Sequence, residues 1–216
     1  HRAYSLHKPR RRGEARRYPS SRRASQVFVR IKSMLQRSAP LFRRSLFPSP
    51  KGYVTTLNPV LPPSTISSVL SHIPSLYSGG PHFTTGQYPD EWHYRPPFTR
   101  DDVLREICNG WKSSEAVARI VLSRNLADNV ADIMGWPGAV VGQDTVIQKP
   151  AARVSDEGDG KGVSVGYHYD GTYINDNFVL PDGRGPSPGC TLWIALEDSN
   201  KEVGGLEYAV GSHLWS

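Results

Sequence analysis

The stretch Gly166-Tyr167-His168-Tyr169-Asp170-Gly171-Thr172-Tyr173 decides how the rest of the chain is read. It follows Val163-Ser164-Val165, and β-branched and aromatic residues in this density predict a strand. Residues two apart on a strand share a face, so His168 and Asp170 are expected to point the same way. An imidazole and a carboxylate on one face can grip one ion. With a third donor from elsewhere they make the facial triad of non-haem Fe(II) sites, which leaves positions open for a cosubstrate and O₂. Chance alone supplies roughly 0.4 such His-x-Asp pairs in a chain of this composition, so the surrounding sequence has to carry the reading.

Charge divides the chain in two. Residues 1–50 hold 14 of the 26 Lys and Arg and only one of the 20 acids, Glu14, which leaves 12 basic against 19 acidic residues in 51–216. The basic balance therefore belongs to a leader, and net charge gives no case for nucleic acid as the partner of the remainder. Arg clusters, Ser and Pro predict disorder over residues 1–33. From Met34 to Phe47 the chain is rich in Arg, Leu and Phe and free of acids, as in an organellar transit segment of a mitochondrial or plastid protein. The rival reading is a basic arm for nucleic acid or a membrane surface, with plain disorder as the third. Two cysteines, Cys108 and Cys190, exclude a disulfide scaffold and read as free thiols. No run approaches the ~18 apolar residues of a membrane span.

From Lys51 onward the composition is that of a folded domain. Pro63-Ser64-Thr65 followed by Ile66, Val69, Leu70 and Ile73 predicts a short helix stopped near Pro74. Residues 78–98 are loop-like and dense in aromatic rings. Thr99 and Asp102 followed by Val103, Leu104 and Ile107 predict another helix, and two more follow Ser113-Ser114 and Ser123, the last ending at Gly135. Strands are then expected at 139–141, 145–147, the motif stretch, 190–196 and 206–210. Helices first and short strands afterwards give an α+β chain that ends in a sandwich or jelly roll.

With these residues in place, the chain from about Lys51 resembles the phytanoyl-CoA dioxygenase family of Fe(II)/2-oxoglutarate-dependent oxygenases. The pieces occur in order: Gln143-Asp144-Thr145-Val146-Ile147-Gln148-Lys149-Pro150, then Tyr167-His168-Tyr169-Asp170 with Tyr173. Thr191-Leu192-Trp193-Ile194-Ala195-Leu196-Glu197-Asp198 follows, and Gly204-Gly205-Leu206 leads to Gly211-Ser212-His213. Together the similarity covers about 165 residues, and the ordered set is far more specific than any one piece. The resemblance implies a double-stranded β-helix (jelly roll, cupin-like) with preceding packing helices. It implies Fe(II) held by His168 and Asp170, with 2-oxoglutarate and O₂ as cosubstrates. Lys149, Gln143, Trp193 and Tyr173 are expected near 2-oxoglutarate. The implied activity is hydroxylation of an unactivated C–H of a small organic or acyl substrate; which substrate, and in what oligomeric state, the sequence leaves open.

Two departures accompany the resemblance. Tyr169 stands between the two ligands, where Gln is frequent in the family. The family's distal iron-binding histidine and the arginine for the far carboxylate of 2-oxoglutarate are expected downstream of Ser216, and His213 falls at a turn position. Residues 51–216 are therefore expected to be the N-terminal portion of such a domain, with four or five of eight core strands, inactive by itself and poorly folded. The alternative, from a different class, is a non-catalytic jelly-roll binding module or decayed fragment.

Overall fold

An interior strand of the sheet comes from the Arg-rich leader. In a computed structural model, the structure describes residues 24–33 (as backbone), 49–56, 59–98, 103–149, 165–170, 189–199 and 204–215. Their strands are β1 (Ala24–Ser33), β2 (Glu91–Trp92), β3 (Arg105–Cys108), β4 (Ala139–Lys149) and β5 (Gly189–Ala195). They form one antiparallel sheet in the order β2-β3-β4-β1-β5. The expectation of disorder across residues 1–33 therefore fails for 24–33. Arginine density hides the run Val27-Phe28-Val29-Arg30-Ile31, whose β-branched residues at every second position favour a strand. The transit segment expected from Met34 lies outside the described residues, as does Tyr173.

The strands expected at 139–141 and 145–147 are one strand. β1 pairs with β4 from Ala24↔Lys149 to Arg30↔Gln143, and the register then moves to Ile31↔Val141. Gly142 is left as the extra residue of a β-bulge, a position where a missing side chain is an advantage.

Three helices cover one face of the sheet: α1 (Pro63–Ser78), α2 (Glu115–Val121) and α3 (Arg124–Met134). The caps of α2 and α3 follow the sequence, with Ser114 Oγ accepting from Val117 N and Ser123 Oγ accepting from Leu126 N. Gly135 ends α3 in the left-handed conformation, at φ 68°. α1 departs from expectation by running through Pro74 to Ser78. Pro74 removes one N–H from the helix ladder on its exposed side, while Leu76 and Tyr77, one turn on, are buried. The Tyr77 hydroxyl lies 3.0 Å from both the Arg105 and the Val146 carbonyls, so the last turn is tied to β3 and β4. Gly79 ends the helix at φ 68°, and a Cβ there would overlap the Trp92 indole.

The helix predicted from Val103, Leu104 and Ile107 is also corrected, because Arg105–Cys108 is a strand. The apolar spacing suits either structure over so short a run. Pairing of Ile107 with Val146 decides it, since both side chains are 0% exposed in the core. That core joins Val69, Ile73 and Leu76 of α1, Val117 and Ile120 of α2, and Ile194 and Leu196 of the β5 segment. Each such branched side chain contributes about 1.5–3 kcal/mol on burial. Among the described residues the expected motif strand is not formed, as 165–169 carry no regular secondary structure. The α+β class holds; among the described residues there is one sheet, and a double-stranded β-helix is not formed by them.

One buried acid sits on the core side of β4. Asp144 is 0% exposed; its Oδ1 accepts from Trp111 N at 3.3 Å, and Oδ2 is buried with no hydrogen-bond partner. Burial pushes its carboxyl up to about 7, against the pull of the Trp111 and Gly110 amides. A group that holds its proton more tightly when folded favours the folded state most at low pH, and that contribution is lost as pH rises from about 4 to about 7. The slope is at most about 1.4 kcal/mol per pH unit. Asp144→Asn should therefore gain stability relative to the parent as pH rises from 5 to 7.5 in urea melts. A difference that stays constant over that range would contradict the assignment.

Candidate metal centre

Alternation along β4 and β5 separates a packing face from a working face. Asp144, Val146 and Gln148 are buried on the helix side, and Ile194 and Leu196 join the same core. Gln143, Thr145, Ile147 and Lys149 therefore lie on the opposite face of β4, and Thr191 and Trp193 on the corresponding face of β5. Gln143 and Thr191 are both paired with Arg30, one strand apart on either side, and Thr145 and Trp193 are both paired with Phe28. Three of the residues implicated from sequence, Gln143, Lys149 and Trp193, share this face with Thr191.

His168 and Asp170 approach it from an irregular loop, not from a strand, and are nevertheless together. His168 Nδ1 lies 2.9 Å from the Gly166 carbonyl, which can only accept, so Nδ1 carries the hydrogen. Nε2 then holds a lone pair, the form of imidazole that ligates metals. It stands 3.3 Å from Asp170 Oδ1. Two acceptors at that distance repel unless a cation lies between them, either a second proton on the ring or a metal ion. Donors at right angles around one ion, each about 2.1 Å from it, stand about 3 Å apart, so the observed spacing suits a shared ion. Asp170 Oδ2 is occupied separately, accepting from Thr191 Oγ1 at 2.6 Å. The two side chains are 45% and 36% exposed, which leaves room for further ligands. Among the described residues no third His, Cys, Asp or Glu joins them.

A wall of tyrosines flanks the pair. Tyr208 stacks on Tyr53 at 4.9 Å between centroids, and the Tyr167 hydroxyl donates to Glu207 Oε2 at 3.2 Å. Burial first, then the Asp170 charge and Tyr53, raise the Tyr208 phenol above its ordinary range. Lys149 Nζ donates to the Gly204 carbonyl at 3.3 Å, and burial lowers its affinity for the proton. Gly204 takes φ 84°, in the left-handed region that favours glycine, beside the Lys149 side chain. The segment 204–208 thus bridges the end of β4 and the His168–Asp170 loop. On the same face, Gln143 lies beside the Cys108 thiol of β3, across β4 from β5. His213 packs against Gly52, and Gly211 N donates to the Lys51 carbonyl at 3.1 Å, tying the last turn to residues 51–52.

Sequence reasoning missed Thr191, Tyr208 and Tyr53. Thr191 was recoverable in part, because it lies two residues before Trp193 on one strand face. The two tyrosines meet across a separation no local pattern encodes.

A family model described as phytanoyl-CoA dioxygenase (PhyH) matches residues 54–216. The chain belongs to the phytanoyl-CoA dioxygenase family. No curated protein and no solved structure matches it. As a family member it carries the His-x-Asp pair, Lys149, Trp193 and the Gly204–Gly205 turn inside the matched region, whereas β1 precedes that region.

The placement of Tyr208 against Asp170 has a direct readout. In ¹³C-tyrosine NMR titrations, Asp170→Asn should lower the pKa of the Tyr208 phenol, since one of the charges that raises it is removed. An unchanged titration would mean that the two groups are apart in solution.

Proposed function

We propose that the chain is an Fe(II)- and 2-oxoglutarate-dependent oxygenase in which His168 and Asp170 are two of the iron ligands, within a jelly-roll domain. The substrate class is a small organic or acyl compound with an unactivated C–H. The observation that carries this reading is the pair itself: a lone-pair nitrogen 3.3 Å from a carboxylate oxygen, each fixed by a hydrogen bond on its other side. Family membership supports the choice of Fe(II) over another ion. When bound, iron with 2-oxoglutarate and O₂ supplies the oxidising power that amino-acid side chains lack.

The residues of the chain would do the rest. His168 and Asp170 would hold one edge of the ion and leave the remainder of its sphere open. Lys149 is the cation on the working face of β4 and would meet a carboxylate of 2-oxoglutarate, exchanging the Gly204 carbonyl for an ionised partner. A lysine whose charge is disfavoured by burial gains from such a partner. Trp193, on the same face as Thr191, and the Tyr53–Tyr208 stack would wall the site from water and offer flat apolar surface to a substrate. Gln143 and Tyr173 are assigned to the same surroundings on family resemblance.

Mn(II), a redox-silent stand-in for Fe(II), tests this without turnover. Titrated by the EPR signal of the free ion, the wild-type chain should bind Mn(II), and 2-oxoglutarate should tighten that binding by adding donors. His168→Ala and Asp170→Ala should each bind at least about ten-fold more weakly. Lys149→Ala should keep the Mn(II) affinity and lose the enhancement by 2-oxoglutarate. Equal affinity in His168→Ala and the wild type would overturn the proposal.

A further inference from the structure

We infer that Thr191 is a positioning residue for the metal pair, acting through Asp170; the inference rests on the reading of His168 and Asp170 as ligands. Its hydroxyl donates to Asp170 Oδ2 at 2.6 Å, a short charge-assisted hydrogen bond. Oδ1, the other oxygen of the same carboxylate, is the one that faces His168 Nε2. An unrestrained carboxylate can rotate about its side chain and turn Oδ1 away from His168. With Oδ2 held, Oδ1 stays aimed at the place beside Nε2 where a shared ion would sit.

The two ends of this hydrogen bond differ in rigidity, and that gives it its direction. Thr191 lies within β5, paired with Arg30, and its β-branched side chain has few rotamers. Asp170 ends the irregular stretch 165–169. The sheet therefore orients the loop. A second restraint acts at the other ligand, where the Gly166 carbonyl fixes the His168 ring. Outer partners of this kind typically change metal affinity by about 10–100-fold when removed.

The experiment compares Mn(II) affinity by EPR in the full chain for wild type, Thr191→Val, Thr191→Ala and Thr191→Ser, with His168→Ala beside them. Thr191→Val keeps the shape and β-propensity of the strand residue, and Thr191→Ala controls for any crowding by the new methyl. Both should bind Mn(II) about ten-fold or more weakly, and Thr191→Ser, which restores the hydroxyl, should return to within about three-fold of wild type. Thermal melts of Thr191→Val and Thr191→Ser should coincide, which a purely structural role would not give together with a loss of affinity in one. Wild-type affinity in Thr191→Val or Thr191→Ala overturns the role of Thr191 while leaving the ligands in place. Wild-type affinity in His168→Ala overturns the ligand assignment and this inference with it.

Discussion

His168 Nε2 and Asp170 Oδ1 are held 3.3 Å apart. The Gly166 carbonyl takes the one hydrogen that a neutral His168 ring carries, so the ring has nothing left to donate to the carboxylate. Thr191 satisfies the other carboxylate oxygen, so Asp170 is not turned toward His168 for want of a partner. A cation shared between the two, either a second proton on the ring or the metal ion proposed above, fits this arrangement.

The surrounding structure holds those two groups at an accessible surface. The sheet accomplishes this by having unlike faces. One is packed against α1, α2 and α3 through Ile107, Val146, Ile194 and Leu196, and Tyr77 ties the end of α1 to the backbone of β3 and β4. With the core on that side, the opposite face is free to carry Lys149, Thr191 and Trp193. The segment 204–208 then closes over it, with Gly204 against Lys149, Glu207 receiving Tyr167, and Tyr208 stacked on Tyr53 beside Asp170. The packed face has its own cost in Asp144, whose buried Oδ2 has no partner and whose proton is held far more tightly than usual.

The sequence announced the parts that depend on local chemistry. Ser114, Ser123 and Gly135 mark the ends of α2 and α3 because capping is a contact between residues a few positions apart. The nearness of His168 and Asp170 was legible too, although the expected strand was the wrong reason; spacing by two residues keeps side chains close in a bent loop as well. What could not be read depends on distant partners. Residues 105–108 have the apolar spacing of a helix and become a strand only because β4 is there to pair with. α1 continues past Pro74 because Leu76 and Tyr77 have a core to enter. β1 was hidden by the arginines around it. Thr191 and Tyr208 reach the site from 21 residues away and farther, where no periodicity reports on contact. The family, by contrast, was recoverable from ordered motifs alone, and its match spans 54–216.

Anomalous scattering at the cobalt edge, from crystals of the chain equilibrated with Co(II), examines the central claim at atomic level. The account requires a peak between His168 and Asp170, about 2.1 Å from both Nε2 and Oδ1, with Oδ2 still on Thr191. Co(II) found elsewhere, with His168 and Asp170 joined directly through a shared proton, would contradict it.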